Sequence, residues 1–293
     1  MTESITRNPL YEGFTDGYFT TNDNVKLHYL VKGEGRPLIF VPGWSGDSRD
    51  YMFVAPGFAQ NSRVYVLDMR GHGYSEAPDH GWRIARLSKD LQEFIESLGV
   101  DQIDLCGYSM GCTVCWSYID LFGQGRIHKL ILVDEPAMLG SNPLDTDEEM
   151  DLYGGNRMDS WDFRNKCANN DGFGDLFRTR FARGHWDVKD ENALAVKDAV
   201  PAPVFQRAFL AELIRDHINQ DWRDVIRRIT IPTIFVNGEI SHAAQEPCAA
   251  WIASVIPGCR RLTVTAEEKG THELMLNAPL KFIQGVSAFL YED

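Results

Sequence analysis

The feature that most constrains the fold is the pentapeptide G-Y-S-M-G at residues 107–111. It follows a short apolar run, residues 103–106, and precedes an apolar segment with the pattern of a helix, residues 113–122. Strand, sharp turn and helix form the context in which such a motif raises a serine hydroxyl above the end of a sheet. The flanking glycines fit because the turn leaves no room for side chains, and the following helix directs the positive end of its dipole at the serine. The motif therefore predicts a strand–turn–helix unit and marks Ser109 as a candidate nucleophile.

The rest of the chain alternates strand and helix patterns. Continuous apolar runs, expected of strands buried on both faces, occur at residues 38–41 and 64–67, and further strand patterns occur at residues 103–106, 130–133, 233–236 and 262–264. Residues 25–31 alternate like an antiparallel edge strand. Apolar residues recur at helical spacing from Ile84 to Leu98, and a last amphipathic helix is predicted over residues 279–290. The order predicts an α/β fold, with a mostly parallel twisted sheet and helices on both faces.

The strand pattern is interrupted between residues 138 and 220. This segment shows helical patterns and many aromatic residues, among them Trp161 and Trp186. It is much longer than an ordinary connection. We therefore predict a core domain formed by residues 1–137 and 221–293 and an inserted helical cap, or lid, formed by residues 138–220. Trp161 and Trp186 are expected to line a substrate pocket under this cap.

The composition excludes several classes of function. A formal net charge of −13, without a basic run, disfavours nucleic acid and anionic membranes as partners. The first eleven residues do not resemble a signal peptide, and no stretch approaches 18 apolar residues. The six scattered cysteines fit a reduced, cytoplasmic protein. Cys112 and Cys115 form a C-x-x-C pattern, but they fall inside the helix after Ser109 and are expected to be core residues.

A serine nucleophile needs a base and donors for the oxyanion. His272 is the candidate base, because it follows the last predicted strand and precedes the last helix, at the same sheet edge as Ser109. The candidate oxyanion donors are the backbone N–H groups of Met110 and Trp44. Trp44 follows Gly43 in the loop after residues 38–41, and its ring is a candidate wall of the pocket.

The acid that orients His272 is ambiguous in the sequence. A carboxylate commonly occurs three residues after Gly238, but Ser241 stands at that place. Asp134 ends the strand predicted beside that of Ser109, where a buried carboxylate would need a partner such as histidine. Asp134 is therefore the first candidate, and Glu239 and Glu135 are the alternatives.

Together these residues resemble the α/β-hydrolase fold superfamily in its capped branch. The matching stretches are V-P-G-W at residues 41–44, D-M-R-G-H-G-Y-S at 68–75, G-Y-S-M-G at 107–111 and G-T-H at 270–272. The resemblance implies Ser109 as nucleophile, Met110 and Trp44 as oxyanion donors and His272 as base, while the second stretch reads as a structural loop. Pro42 stands where many members have histidine, and Pro-Gly-Trp also looks like the cofactor-independent dioxygenases of this fold, which place their acid after the sixth strand.

The expected function is hydrolysis of a carboxylic ester or lactone of an apolar or aromatic small molecule, as in esterases and lactonases, with no metal or organic cofactor. Two alternatives remain open, a cofactor-independent dioxygenase acting on a heteroaromatic alcohol and a slow-turnover ligand receptor on the same fold. The serine at the turn speaks against haloalkane dehalogenases and epoxide hydrolases, which resemble this layout but use an aspartate. A homodimer is compatible with the sequence, which does not define an oligomeric state.

Overall fold

The computed structural model describes residues 11–154, 158–169 and 207–292. Within these ranges one eight-stranded sheet runs through the protein. Its strands are β1 (Thr15–Thr20), β2 (Lys26–Lys32), β3 (Pro37–Val41), β4 (Arg63–Leu67), β5 (Ile103–Tyr108), β6 (Ile127–Val133), β7 (Thr233–Gly238) and β8 (Arg260–Val264). No helix in these ranges combines the length and apolar character needed to cross a bilayer.

The strands lie in the order β1-β2-β4-β3-β5-β6-β7-β8. From β4 to β8 every neighbouring pair is parallel, whereas β1 pairs antiparallel with β2 and β2 pairs antiparallel with β4. The predicted α/β fold with a mostly parallel sheet is confirmed. The prediction that residues 25–31 form an edge strand is wrong, because β1 pairs with the outer side of β2.

Helices cover both faces of the sheet. In the described residues they are α1 (Ala55–Phe58), α2 (Ile84–Ser97), α3 (Met110–Phe122), α4 (Asp147–Tyr153), α5 (Ser160–Ala168), α6 (Arg207–Ile218), α7 (Arg223–Ile226), α8 (Cys248–Val255), α9 (Leu274–Asn277) and α10 (Pro279–Tyr291). Along β3, Leu38 and Phe40 pack in one hydrophobic cluster and Ile39 and Val41 in the other. This division explains why β3 is apolar at every position.

The segment between β6 and β7 contains α4, α5, α6 and α7 in its described part, and no extended strand there. Two isolated bridges are present, one between Met138 and Asp221 and one between Gly140 and Met158. The first bridge brings the two ends of the segment together beside the sheet. The boundaries of a cap at residues 138–220 stay a prediction.

Candidate active site

Ser109 occupies a strained turn between β5 and α3. Its backbone has φ 51° and ψ −129°, a region that side-chain-bearing residues rarely adopt. The turn is closely packed, because a Cβ on Gly107 would lie 2.6 Å from the Gly111 oxygen and a Cβ on Gly111 would lie 2.1 Å from the Val41 oxygen. The Ser109 side chain does not cap α3, although serine at this position usually does. Its hydroxyl is instead turned towards the loop after β8.

His272 lies between Ser109 and Asp134. Its Nε2 atom is 3.0 Å from Ser109 Oγ, and its Nδ1 atom is 2.6 Å from Asp134 Oδ2. The pairing of the strands explains this meeting: Tyr108 at the end of β5 is in register with Val133 at the end of β6, so the residues that follow emerge side by side. In the neutral tautomer that suits this geometry, Nδ1–H donates to the carboxylate and Nε2 accepts from the hydroxyl.

Asp134 is completely buried and held by several donors. Its backbone has φ 54°, and its N–H donates to the carbonyl of Val236 at 2.8 Å. Besides His272, the hydroxyl of Ser241 donates to Oδ2, and the N–H of Gly238 donates to Oδ1 at 3.3 Å. These donors replace the water that a buried carboxylate loses.

The two alternative acids lie elsewhere. Glu239 is exposed, and its carboxylate accepts the backbone N–H of Ala266 at 2.7 Å. Glu135 is buried and faces His217, whose Nε2 is 3.2 Å from its Oε1. Of the three carboxylates considered from the sequence, the structure therefore brings Asp134 into direct contact with His272.

The surroundings of His272 favour its protonated form. Burial by itself lowers the pKa of the imidazole, but the hydrogen bond to Asp134 and the charges of Asp134, Glu273 and Glu135 raise the pKa of His272 to about 9. Glu273 follows His272 directly, and burial raises the pKa of its carboxyl, against the opposing effect of His272. A base with a raised pKa accepts a proton more readily but is unprotonated only in alkaline solution.

The loop after β3 passes against the serine. A Cβ on Gly43 would lie 3.0 Å from Ser109 Cβ, so the chain that carries Trp44 runs directly beside the nucleophile. The carboxyl of Asp50 supports the loop from below, since a Cβ on Gly46 would lie 2.3 Å from its Oδ2. Burial and the nearby charge of Asp47 raise the pKa of Asp50 to about 8. The roles of Met110 and Trp44 as oxyanion donors stay predictions.

The tryptophans predicted to line a pocket have different surroundings in the structure. Trp44 is half-buried, its ring packs edge-on against Phe163 at 6.2 Å, and its indole N–H donates to the carbonyl of Leu210 at 2.9 Å. Trp161 is 60% exposed, and the Arg215 guanidinium lies 4.7 Å from its ring centre. A role of Trp161 in lining a pocket stays a prediction. Trp186 lies outside the described residues.

The position of Trp161 follows from the geometry of α5. The buried residues of this helix are Phe163 and Cys167, four positions apart and therefore on one face. Trp161 is two positions before Phe163, which places it on the opposite side of the helix. Its ring is therefore covered by a cation from α6 and not enclosed by the core.

Two residues of the site were not anticipated as participants. Ser241, which stands where a carboxylate is common, contacts Asp134, and the ring of His242 lies 4.9 Å from the ring of His272. The spacing of Ser241 from Gly238 is visible in the sequence, where it indicates only that the usual acid is absent. Nothing in the sequence pattern singled out His242.

Two other motifs have structural surroundings. The guanidinium of Arg70 is buried between the carboxylates of Asp90 and Asp23. The backbone carbonyl oxygen of Arg70 lies 2.9 Å from His72 Nδ1. Cys112 and Cys115 are both buried and unpaired. Within the described ranges, no group of three or more His, Cys, Asp and Glu side chains is arranged to hold a metal ion.

This combination of sheet order, serine turn and histidine loop is that of a known family. A family model for the alpha/beta hydrolase fold matches residues 36–279, which is most of the chain. The protein belongs to the alpha/beta hydrolase family.

Individual relatives resemble parts of the chain. It is 34% identical to N-formylmaleamate deformylase of Pseudomonas putida over 127 residues, 42% of this chain and 46% of the relative. It is 28% identical to a soluble epoxide hydrolase of Corynebacterium over 109 residues, 37% of this chain and 38% of the relative. Each match therefore covers less than half of the relative. The crystal structure of an enol-lactonase from Burkholderia xenovorans covers 94% of this chain and 100% of its own, with a TM-score of 0.75 and 21% identity, a likeness in fold.

Proposed function

We propose that the protein is a serine hydrolase that cleaves a carboxylic ester or lactone of an apolar or aromatic small molecule. The observation that carries the proposal is the continuous contact from Ser109 Oγ to His272 Nε2, at 3.0 Å, and from His272 Nδ1 to Asp134 Oδ2, at 2.6 Å. A serine hydroxyl becomes a competent nucleophile when a histidine accepts its proton and a buried carboxylate stabilises the resulting imidazolium.

In the first half of the reaction, Ser109 Oγ attacks the carbonyl carbon while its proton passes to His272 Nε2. The carboxylate of Asp134 holds Nδ1–H and compensates the new positive charge. The backbone N–H groups of Met110 and Trp44 are assigned to the oxyanion, since both belong to segments that run beside Ser109. The proton on Nε2 then passes to the departing alkoxide, and the acyl group remains on Ser109.

In the second half, His272 accepts a proton from water, and the hydroxide attacks the acyl-enzyme carbonyl. The carboxylic acid leaves, and the proton returns to Ser109 Oγ. The same residues would hydrolyse an activated amide, and one relative is named a deformylase. A relative named an epoxide hydrolase gives less guidance, because the epoxide hydrolases that this layout resembles use an aspartate where this chain has Ser109.

A second function is favoured by one specific observation, the position of Asp134 after β6. The cofactor-independent dioxygenases that the Pro-Gly-Trp stretch resembles place their acid there. In such a reaction the His272–Asp134 pair would deprotonate an aromatic hydroxyl group, and Ser109 would not become acylated.

Turnover of a panel of aryl esters, lactones and heteroaromatic alcohols, with product release and oxygen consumption recorded together, tests both functions. Hydrolysis without oxygen uptake, and labelling of Ser109 by a fluorophosphonate, are expected. Oxygen uptake with a heteroaromatic alcohol, and no ester or lactone turnover, would replace the hydrolase with the dioxygenase. Tight binding with negligible turnover would favour a ligand receptor.

A further inference from the structure

The loop that follows β7, residues 238–243, lies between Asp134 and the loop that carries His272. Its backbone is fastened to the histidine loop: the N–H of Ile240 donates to the carbonyl of Gly270 at 3.0 Å. The approach is so close that a Cβ on Gly238 would lie 2.1 Å from the Gly270 oxygen. The N–H of Gly238 also donates to Asp134, at 3.3 Å. The loop therefore contacts both Asp134 and the segment that carries His272.

Ser241 in this loop is buried, with 2% exposure. Its hydroxyl oxygen accepts the backbone N–H of Ala243 at 3.0 Å, and its hydroxyl proton is donated to Asp134 Oδ2. Since an N–H group already occupies one side of the oxygen, the hydroxyl is oriented towards the carboxylate. Oδ2 is also the atom that receives Nδ1–H of His272. Ser241 and His272 therefore share one acceptor.

His242, the next residue along the loop, contacts His272. The rings of His242 and His272 are 4.9 Å apart and tilted by 55°. The ring of Tyr108 lies 5.1 Å from His272, at 35°. His272 therefore has two aromatic neighbours from two different strand ends, and these contacts restrict how its ring can turn about the bond to Asp134.

We propose that Ser241 and His242 are positioning residues of the active site, Ser241 by orienting the Asp134 carboxylate and His242 by bracing the ring of His272. The proposal rests on the proposed function for its kinetic consequences only, because the geometry it concerns exists without substrate. In this chain a hydroxyl stands where a carboxylate is common, and it acts through the acid that β6 supplies.

The charged and titratable groups that act on His272 come from several elements. Asp134 follows β6 and touches Nδ1, Glu135 follows it, Glu273 precedes α9, and His242 belongs to the loop after β7. Burial, together with the charge of His272, lowers the pKa of His242 well below its ordinary value, so His242 is neutral where the hydrolase works. Removing the Ser241 hydroxyl leaves the Asp134 charge less well solvated, and the carboxylate then attracts the proton of His272 more strongly.

Ser241→Ala, Ser241→Thr, His242→Ala and His242→Phe form the test. Ser241→Ala should lower kcat roughly tenfold, because the variant loses one hydrogen bond to a charged group. KM should change less than about twofold. The rise of kcat/KM with pH, which reports deprotonation of His272, should move to higher pH. Ser241→Thr retains a hydroxyl and should restore most of the activity. His242→Ala should lower kcat by about threefold and His242→Phe much less, because a flat ring still braces His272.

A second measurement does not depend on turnover. The low-field proton resonance of His272 Nδ1–H, followed against pH in the free protein, should titrate at higher pH in Ser241→Ala than in the wild type. In His242→Ala it should broaden, and in His242→Phe it should not. A shifted resonance in a protein that hydrolyses neither esters nor lactones would uphold the positioning role and overturn the proposed function. Unchanged kcat, pH limb and resonance in Ser241→Ala and His242→Ala would overturn the positioning role, whatever the substrate.

Discussion

Replacing Asp134 by asparagine isolates the part of the site that the sequence left most ambiguous. Asparagine has nearly the shape of aspartate, so the packing around a completely buried side chain is retained. The charge is lost, and one oxygen becomes an NH₂ group. In the wild type, Asp134 Oδ2 accepts hydrogen bonds from His272 and Ser241, and Oδ1 accepts one from the Gly238 N–H. The amide oxygen should take the place of Oδ2, which leaves the Gly238 N–H facing the NH₂ group.

The expected loss of kcat in Asp134→Asn lies between two limits. The lower limit is the weakening of one charged hydrogen bond to His272, about 1.5–3 kcal/mol, which corresponds to about 10–150-fold in rate. The upper limit is the cost of the same change in the serine-protease precedent, about 10⁴-fold, where the histidine adopts the wrong tautomer. We expect kcat to fall by roughly two to four orders of magnitude. The unpaired Gly238 N–H should lower the free energy of unfolding by about 1–3 kcal/mol.

The assay is steady-state hydrolysis of an aryl ester, with thermal unfolding measured on the same samples. Glu239→Gln is the matched control, because this exposed carboxylate accepts the backbone N–H of Ala266, which an amide oxygen can also accept. Its kcat should stay within about twofold of the wild type. Glu135→Gln should affect stability more than kcat, because the carboxylate faces the buried His217. A hundredfold loss in Glu239→Gln, with a mild effect in Asp134→Asn, would refute the reasoning.

Three further predictions follow from the site. Ser109→Ala should lower kcat by about 10⁶-fold and abolish fluorophosphonate labelling while the circular dichroism spectrum stays unchanged; a loss of less than tenfold would contradict the nucleophile assignment. Because Asp134, Glu273 and Glu135 together raise the pKa of His272 to about 9, kcat/KM should rise with pH and level off above that value. Asp134→Asn should move this pH dependence to lower pH, and an unchanged pH dependence would show that Asp134 does not raise the pKa of His272. Trp44→Phe removes the hydrogen bond to Leu210 but keeps a ring, and it should lower kcat several-fold with a smaller change in KM; unchanged kcat would show that this hydrogen bond does not position the backbone N–H of Trp44.

The core of the fold was predictable because several independent signals agree. Strand β3 and residues 64–67 of β4 are buried on both faces, so each appears as a continuous apolar run. The helix predicted from Ile84 to Leu98 is observed at Ile84–Ser97, and the last helix at Pro279–Tyr291. The glycines at 107 and 111 mark the turn, because no larger residue fits there.

The edge of the sheet was not predictable in the same way. β1 has the sequence T-D-G-Y-F-T, and its side chains are exposed or half-exposed along their whole length. An edge strand of this kind buries little, so its sequence has no strong apolar pattern. Missing it led to the interpretation of β2 as the edge strand.

The acid illustrates a different limit. β6 and β7 are adjacent in the sheet, with Val133 in register with Val236, so the loops after both strands reach the same edge. Spacing along the chain places a carboxylate after each strand but cannot measure which one approaches His272. The decision depends on angles and distances of a few ångströms, and the positive φ of Asp134 that turns it into the site leaves no signal in an aspartate.

The helix α6 qualifies the idea of a lid. At one end of it the carbonyl of Leu210 accepts the indole N–H of Trp44, and near the other end Asp216 accepts the first backbone N–H of α2 at 2.9 Å. His217, next along the helix, faces the buried carboxylate of Glu135, the residue after Asp134. These contacts tie α6 to the loop after β3, to α2 and to the strand end that supplies the candidate acid. A movement of α6 would break all three contacts, so α6 acts as a fixed extension of the core that positions Trp44.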